Sequence, residues 1–444
     1  MKKFLLFVAS LLFFVLSIPG TNALRYILAF ILLTYSSFVV FKNREIFFEL
    51  VSNLAFRRVL QLLIAVTIYI FIHNILISHE IMWSMKAFKG HWIVPILFFV
   101  TGILLSTLSQ HGKYFSHKTL VTSIFFGMYL HILYIDLVAI YKYLDTGILI
   151  TRYGGITTSP ALVNYLTNIL FAIGIADLIS RHRGQEGVLQ ISNGFLNLII
   201  VSILFSAIIE GMRHGVIALA MTSTICVFFF FYKNEKYSKN IKSILSIVFV
   251  TLIFMPLLYS LNHDSRWSTL IETIPISLDT EVNLYWQDRN NPIPKLSDGS
   301  KVSASNYERI AWAKKGVEYI IENPIGIGFG RNAFGHAIQM YEGVDSARGY
   351  HAHSSIIDLT IGAGVAWLLL WVSIIIYIVS YFFNSFKELP NFYAIAGILT
   401  TGGFFFRSFF DSNMRDHVFQ QFFFLLGLFL ALHVYSQLKT QKNE

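Results

Sequence analysis

The chain has 444 residues, of which 55% are hydrophobic, 16% aromatic and only 13% charged. A soluble protein of this length carries roughly twice that charged fraction, so a water-soluble globular enzyme is excluded and lipid is the implied solvent. The net charge of +9 does not point to nucleic acid, because Lys and Arg gather in connections between apolar runs, which is the pattern of membrane topology.

Runs approaching the roughly 20 apolar residues that a bilayer core demands fall near 4–18, 24–41, 59–77, 92–108, 119–140, 161–179, 190–209, 216–232, 244–260, 356–382, 392–410 and 417–435. Met1-Lys-Lys and the stretch Phe4 to Leu16 resemble a signal peptide. A second apolar run, Leu24 to Phe41, follows almost at once, and an uncleaved first helix of a hairpin fits better. Cys226 lies alone in an apolar run and is expected to be core packing.

With the amino terminus inside, the inner connections carry Lys42, Arg44, Arg57 and Arg58; Lys113 and Lys118; Arg181 and Arg183; and Lys233, Lys236, Lys239 and Lys242. The opposite short connections are poorer in such residues, and the alternation puts the tail with Lys439 and Lys442 inside as well. The expected organisation is all-α: helices over 1–260, a large outer loop over 261–354, and the last helices with a cytoplasmic tail over 355–444.

That loop breaks the rhythm, and a connection of its length is usually functional or disordered. Trp267, Trp286 and Trp312 argue for order. Within it Ser305-Asn-Tyr-Glu308 has the form of a capping box. Ile310, Val317, Ile320 and Ile321 follow at helical spacing and Pro324 ends the run, which predicts a helix over about 306–322. The glycine-rich stretch Gly326-Ile-Gly-Phe-Gly330 follows a helix rather than a strand, so it reads as a turn and not as a phosphate loop.

Four groups of polar residues sit at the expected outer face. Arg213, in Glu210-Gly-Met-Arg-His-Gly215, lies at the lipid boundary, where an ionisable group is costly unless paired or functional. On that segment alone it reads as a snorkelling arginine paired with Glu210. Arg309 falls in the first turn of the expected loop helix, where the macrodipole disfavours a cation. A bound phosphate and a pair with Glu308 resolve that conflict equally well. His351 and His353, in Gly349-Tyr-His-Ala-His-Ser354, lack the acidic or Cys companions of a metal site, and a general-base role suits a histidine better. Arg407, Asp411 and Arg415 share an i, i+4 helix face and read as an ion-pair network, with a phosphate or sugar contact second.

In order and spacing these motifs resemble the O-antigen ligase and O-antigen polymerase superfamily. The likeness rests on Met212-Arg-His-Gly-Val-Ile-Ala-Leu219, on Glu308-Arg-Ile-Ala-Trp-Ala with Asn323-Pro-Ile-Gly-Ile-Gly-Phe-Gly330, and on His351-Ala-His-Ser354 running into Gly362-Ala-Gly-Val. The resemblance implies a GT-C-like integral membrane protein of about twelve transmembrane helices, with a large helical periplasmic loop between spans nine and ten. It implies a multi-pass protein of the Gram-negative inner membrane with both termini cytoplasmic. It also implies a glycosyltransferase that needs no metal or other cofactor and takes its glycan from undecaprenyl pyrophosphate.

Carried over by position, the resemblance makes Arg213 and Arg309 the pyrophosphate ligands, Arg415 a weaker one, and His353 the base that activates an acceptor hydroxyl. His351, Glu210 and Ser354 are supporting candidates, and Ser354 stands where the family often has Asn. The expected activity is transfer of O-antigen to lipid A-core, with polymerisation of lipid-linked repeats the runner-up and protein O-glycosylation third. A lipid-linked sugar transporter, from a different class, is disfavoured because no internal repeat is evident and the ionisable residues gather at one face.

Overall fold

A computed structural model describes residues 2–110, 114–232, 255, 257–263 and 267–443. The expected ninth span, 244–260, lies largely outside these residues, as do Lys113, Lys233, Lys236, Lys239 and Lys242. In chain order the helices are α1 (Lys2–Val15), α2 (Asn22–Lys42), α3 (Arg44–Ser52), α4 (Leu54–Leu76), α5 (Ile81–Phe88), α6 (Val94–Gln110), α7 (His117–Thr146), α8 (Pro160–His182), α9 (Asn193–Glu210), α10 (Arg213–Phe231), α11 (Leu270–Leu278), α12 (Ala304–Glu322), α13 (Ala333–Glu342), α14 (Ser355–Glu388), α15 (Phe392–Arg407) and α16 (Asp416–Asn443). Among the described residues there is no strand beyond one isolated bridge, Lys295 with Lys301. Among the same residues nine helices are long and apolar enough to cross a membrane, and α1 and α15 are shorter apolar helices.

The expected spans meet these helices within a few residues at most ends, and the exceptions have local causes. The fourth is longer than expected, because α5 and α6 join through a π-helical segment, Lys89–Ile93. The eleventh stops at Arg407 rather than 410, where Asn413 donates its amide to the carbonyl of Phe404 and closes the helix end. Arg407, Asp411 and Arg415 therefore do not share a helix face, since the last two lie in the linker to α16.

At the centre α16 is enclosed by its neighbours. Its backbone approaches α6 closely because both lack side chains at the contact: a Cβ on Gly102 would stand 2.2 Å from the Phe424 carbonyl, and one on Gly427 2.2 Å from that of Phe99. Cys226 is buried. Among the described residues, two of the basic connections meet at one end, where Lys118 pairs with Glu186 at 2.6 Å and Arg183 donates to the Phe229 carbonyl at 2.7 Å.

At the other end residues 267–354 form a second hydrophobic core around Trp286, Tyr307, Trp312, Tyr319 and Phe334. Its main helix, α12, starts at Ala304 with Ser303 as N-cap, and the capping box does not form. Glu308 instead takes the Arg289 guanidinium at 2.7 Å, a charged hydrogen bond that outcompetes a reach back to the Ser305 amide. Arg309 is consequently in the second turn of α12 rather than the first.

The glycine-rich turn after α12 does more than reverse the chain. At Gly364, with φ +79°, the helix α14 is broken, and the turn fills the break. Ile327 and Gly328 donate to the carbonyls of Ile361 and Gly362, while Val365 donates to Pro324, at 3.1, 2.8 and 2.8 Å. From α4, His73 Nε2 reaches the Ile325 carbonyl at 2.8 Å and Tyr69 donates to that of Ala363 at 2.7 Å. These bonds supply protein partners to the polar groups exposed by the break, the condition for irregular backbone at membrane depth.

Candidate functional site

The segment His351–Ser354 is held from three directions. Ser354 is the N-cap of α14: its hydroxyl accepts from the Ile357 amide and donates to the Ser408 carbonyl, at 3.3 and 3.2 Å. Asn and Ser are equally good caps, which accounts physically for either residue after the histidine. Asp358, one turn into α14, accepts the amides of Ala352 and Phe334 at 3.1 and 3.2 Å and so ties the segment to α13.

His353 has φ +52°, in the left-handed region that β-carbon-bearing residues avoid. Such strain persists only where the surroundings over-determine it. Here the imidazole stacks on Trp312, with centroids 5.4 Å apart and planes at 14°, and its backbone N–H donates to His351 Nδ1 at 3.2 Å. The Ser412 hydroxyl lies 3.0 Å from that same nitrogen, so Nδ1 of His351 is the acceptor and Nε2 carries the ring proton. Trp312 is fixed in turn by its indole N–H to the Trp286 carbonyl at 2.7 Å, and Arg289 lies 5.8 Å over its face.

Burial, followed by the nearby Arg309 and His351, pushes the proton affinity of His353 down to about 2. Burial and then Arg415 bring His351 to about 4. Both rings are neutral at physiological pH.

A cavity of about 970 Å³ lies at the seam between this loop core and the bundle. His353, Ser354, Arg309 and Arg213 all line it. Arg309 donates Nη1–H to the Phe410 carbonyl at 2.8 Å, joining α12 to the α15–α16 linker. Arg213, the first residue of α10, lies 5.4 Å over the Trp267 ring. Arg152, His214 and Lys314 add further cationic or titratable groups, and Ile217, Leu270, Leu278, Val317, Phe409 and Phe410 form an apolar wall.

Arg415 and His351 are not on this cavity. They line a small one behind it with Asp358 and Arg331. Glu210 is fully buried, its carboxylate accepting from the Asn164 amide at 2.6 Å and from the Thr167 hydroxyl.

From Asn164 a polar chain runs outward to the cavity: Arg407 donates to Asn164 Oδ1 at 2.6 Å and pairs with Asp411 at 3.1 Å, and Asp411 Oδ2 lies 3.0 Å from His214 Nε2. Burial works to raise the Asp411 carboxyl, but His214, Arg407 and Arg309 together hold it well below the usual carboxylate range. Gly215 belongs to this chain, since a Cβ there would meet the Asn164 side chain at 2.0 Å. The ion-pair reading of Arg407 with Asp411 is thus borne out, and Arg415 is not part of that pair.

Sequence reasoning does not single out His214, Arg152 or Lys314, and takes Trp267 only as a sign of an ordered loop. His214 adjoins Arg213 in the same turn, and Arg152 sits in the short connection between α7 and α8 among otherwise uncharged residues, so both carry a local signal. Trp267 and Lys314 come to the cavity only through the folding of the loop.

Among the described residues no three His, Cys, Asp or Glu side chains gather in a metal-ligating group. The ionisable groups facing the cavity are mostly cationic, with Glu318 the carboxylate among them. An arginine-lined pocket with an apolar wall suits an anion carried on a lipid: guanidinium forks match phosphate oxygens, and hydrocarbon covers the wall. A neutral imidazole on the same cavity can accept a proton.

No curated protein matches the chain. Residues 198–372 match the family model described as O-antigen ligase. That stretch runs from α9 into α14 and includes Arg213, Arg309 and His353. The match supports a place for this chain of membrane-length apolar helices in the O-antigen ligase and polymerase superfamily.

Proposed function

We propose that the protein is an O-antigen ligase, which moves a glycan from undecaprenyl pyrophosphate to a hydroxyl of lipid A-core at the periplasmic face of the inner membrane. The observation that carries this reading is the shared cavity of about 970 Å³, where Arg213, Arg309 and His353 meet beside an apolar wall. The orientation rests on the connections carrying Lys118 and Arg183, which lie at the opposite end of the bundle, the end expected to face the cytoplasm.

In this reading Arg213 and Arg309 hold the pyrophosphate, with Arg152 and Lys314 adding positive potential, and the polyprenyl chain follows the wall of Ile217, Leu270 and Leu278. The acceptor hydroxyl attacks the anomeric carbon from the face opposite the leaving group. The bond from that carbon to the pyrophosphate oxygen breaks, its electron pair leaves with the undecaprenyl pyrophosphate, and the hydroxyl proton passes to the His353 imidazole. Such a displacement inverts the anomeric centre. The arginines act where charge develops on the leaving oxygen, the place where preorganised donors contribute most.

Burial, followed by the positive field of Arg309, makes His353 a weak base, and Asp411 offsets only part of that field. A pyrophosphate bound to Arg309 counters that positive field and raises the basicity of His353. The base is thereby activated by the arrival of its substrate.

Purified protein given a lipid-linked glycan and lipid A-core is expected to make the full glycolipid in the presence of EDTA. Lengthening of the lipid-linked glycan without core would make it a polymerase. Loss of activity in EDTA that a divalent cation restores would overturn the metal-independent reading.

A further inference from the structure

A second large cavity, of about 820 Å³, shares no lining residue with the first. It is lined by Lys86, Lys89 and His91 of the α5–α6 span and by Arg331, Asn332 and His336 around the start of α13. Between the two cavities stands the catalytic loop. The small cavity behind His351 is lined by His91, Arg331 and Asn332 as well as by His351 and Ser355, so it continues the groove up to the back of that loop.

The charge of the groove is unbalanced. Asp416 takes Arg331 at 3.1 Å and lies 3.7 Å from His91, and Glu80 takes His336 at 3.2 Å. Lys86 and Lys89 are exposed, and neither has a carboxylate partner among the described residues. At 1.5 Å per residue they lie roughly 7 and 12 Å along the span from its start. Lysines on a membrane-crossing helix also snorkel without any ligand.

Three further features favour a ligand. Asn332 Oδ1 is buried with no hydrogen-bond partner and lines both the groove and the small cavity, so it can accept from a donor such as a sugar hydroxyl. Lys89 opens the π-helical turn before Pro95, whose missing N–H cannot bond back to His91. Such π turns recur at functional sites. Trp83, stacked on His336 at 3.9 Å, lines the groove beside the cations and adds an aromatic surface that a sugar can contact.

We propose that this groove binds a second anionic glycolipid, the acceptor, with its phosphates on Lys86, Lys89 and Arg331 and its glycan reaching the catalytic loop through the small cavity beside His351. The proposal rests on the glycosyl-transfer reading above and extends it: donor and acceptor approach the His351–His353 loop from separate cavities and do not compete for one.

The test uses full-length protein in lipid nanodiscs, wild type beside the double variant Lys86→Ala, Lys89→Ala. Three lipids are titrated: phosphorylated lipid A-core, the same lipid dephosphorylated, and lipid-linked glycan. Because both lysines are exposed, the variant is expected to fold, and the unchanged binding of lipid-linked glycan is the internal control. Binding of phosphorylated lipid A-core should weaken about tenfold or more in the variant, less so at high salt, and recover when both lysines are replaced by arginine.

Wild-type protein should bind the dephosphorylated lipid as weakly as the variant binds the phosphorylated one. In turnover the acceptor KM should rise while kcat stays within about twofold. Equal acceptor binding by wild type and variant would overturn the proposal, as would equal weakening of all three lipids. Binding is measured without turnover, so failure of lipid A-core to accept glycan would overturn the ligase reading while the groove is still decided by the titration.

Discussion

Arg309 is the position where the proposed chemistry is most directly exposed to test. One of its N–H groups is committed to the Phe410 carbonyl at 2.8 Å, which sets the guanidinium on the cavity that His353 also lines. An arginine fork gives a phosphate two parallel hydrogen bonds, each contributing roughly 1.5–3 kcal/mol when charged. Together they amount to about 3–6 kcal/mol, a rate factor on the order of 10² to 10⁴ if realised only as the leaving group gains charge. Arg309→Met should therefore lower kcat for glycan transfer by up to that factor, with a smaller rise in donor KM from the lost ground-state contact. Arg309→Lys keeps the charge, loses the fork and the Phe410 bond, and should fall between the two. The assay is initial-rate transfer by purified protein in proteoliposomes with donor and acceptor varied separately. A variant whose donor KM rises while kcat is preserved would refute the argument, because Arg309 would then hold ground state and transition state alike.

Four other outcomes are expected. His353→Ala should abolish transfer while donor binding persists; retained transfer would remove it as the base. Since burial and its neighbours bring His353 to about 2 and His351 to about 4, these rings stay neutral as pH falls, and kcat/KM should show no acid limb from them between about pH 8 and 5. An acid limb near 6.5 that disappears in the variant would contradict that environment. Gly364→Ala should lower the thermal midpoint and the activity together: its positive-φ backbone, a region almost exclusive to glycine, alone costs about 1–3 kcal/mol, and the new Cβ would stand 2.1 Å from the Ile325 carbonyl. Gly402, with nothing within 4 Å, is the control, and Gly402→Ala should be silent. Ser354→Asn should keep full activity whereas Ser354→Ala loses about 1 kcal/mol of cap stability, both read by thermal unfolding in detergent.

Much of the molecule is legible in the sequence. Lipid as solvent forces long apolar runs and internally satisfied backbone, so helices such as α7, α8, α14 and α16 follow from composition and spacing. The arginine in Met212-Arg-His-Gly, that in Glu308-Arg-Ile and the His-x-His pair are local patterns, and a family that shares them is recognisable from sequence order alone.

What tertiary structure decides depends on partners distant in the chain. Glu308 has the spacing of a helix cap, yet Arg289 takes its carboxylate across the loop core, and Arg309 moves into the second turn of α12. Arg415 has the spacing of a companion to Asp411, but the helix ends at Arg407 and leaves it beside His351. The glycines 326 to 330 have the composition of a plain turn, and only the break at Gly364 shows which carbonyls they serve. The shared cavity of Arg213, Arg309 and His353 is of the same kind. Composition and period set which segments become helices because those are local preferences, whereas a site assembled from three separated segments is specified by packing between them, which no single stretch of sequence contains.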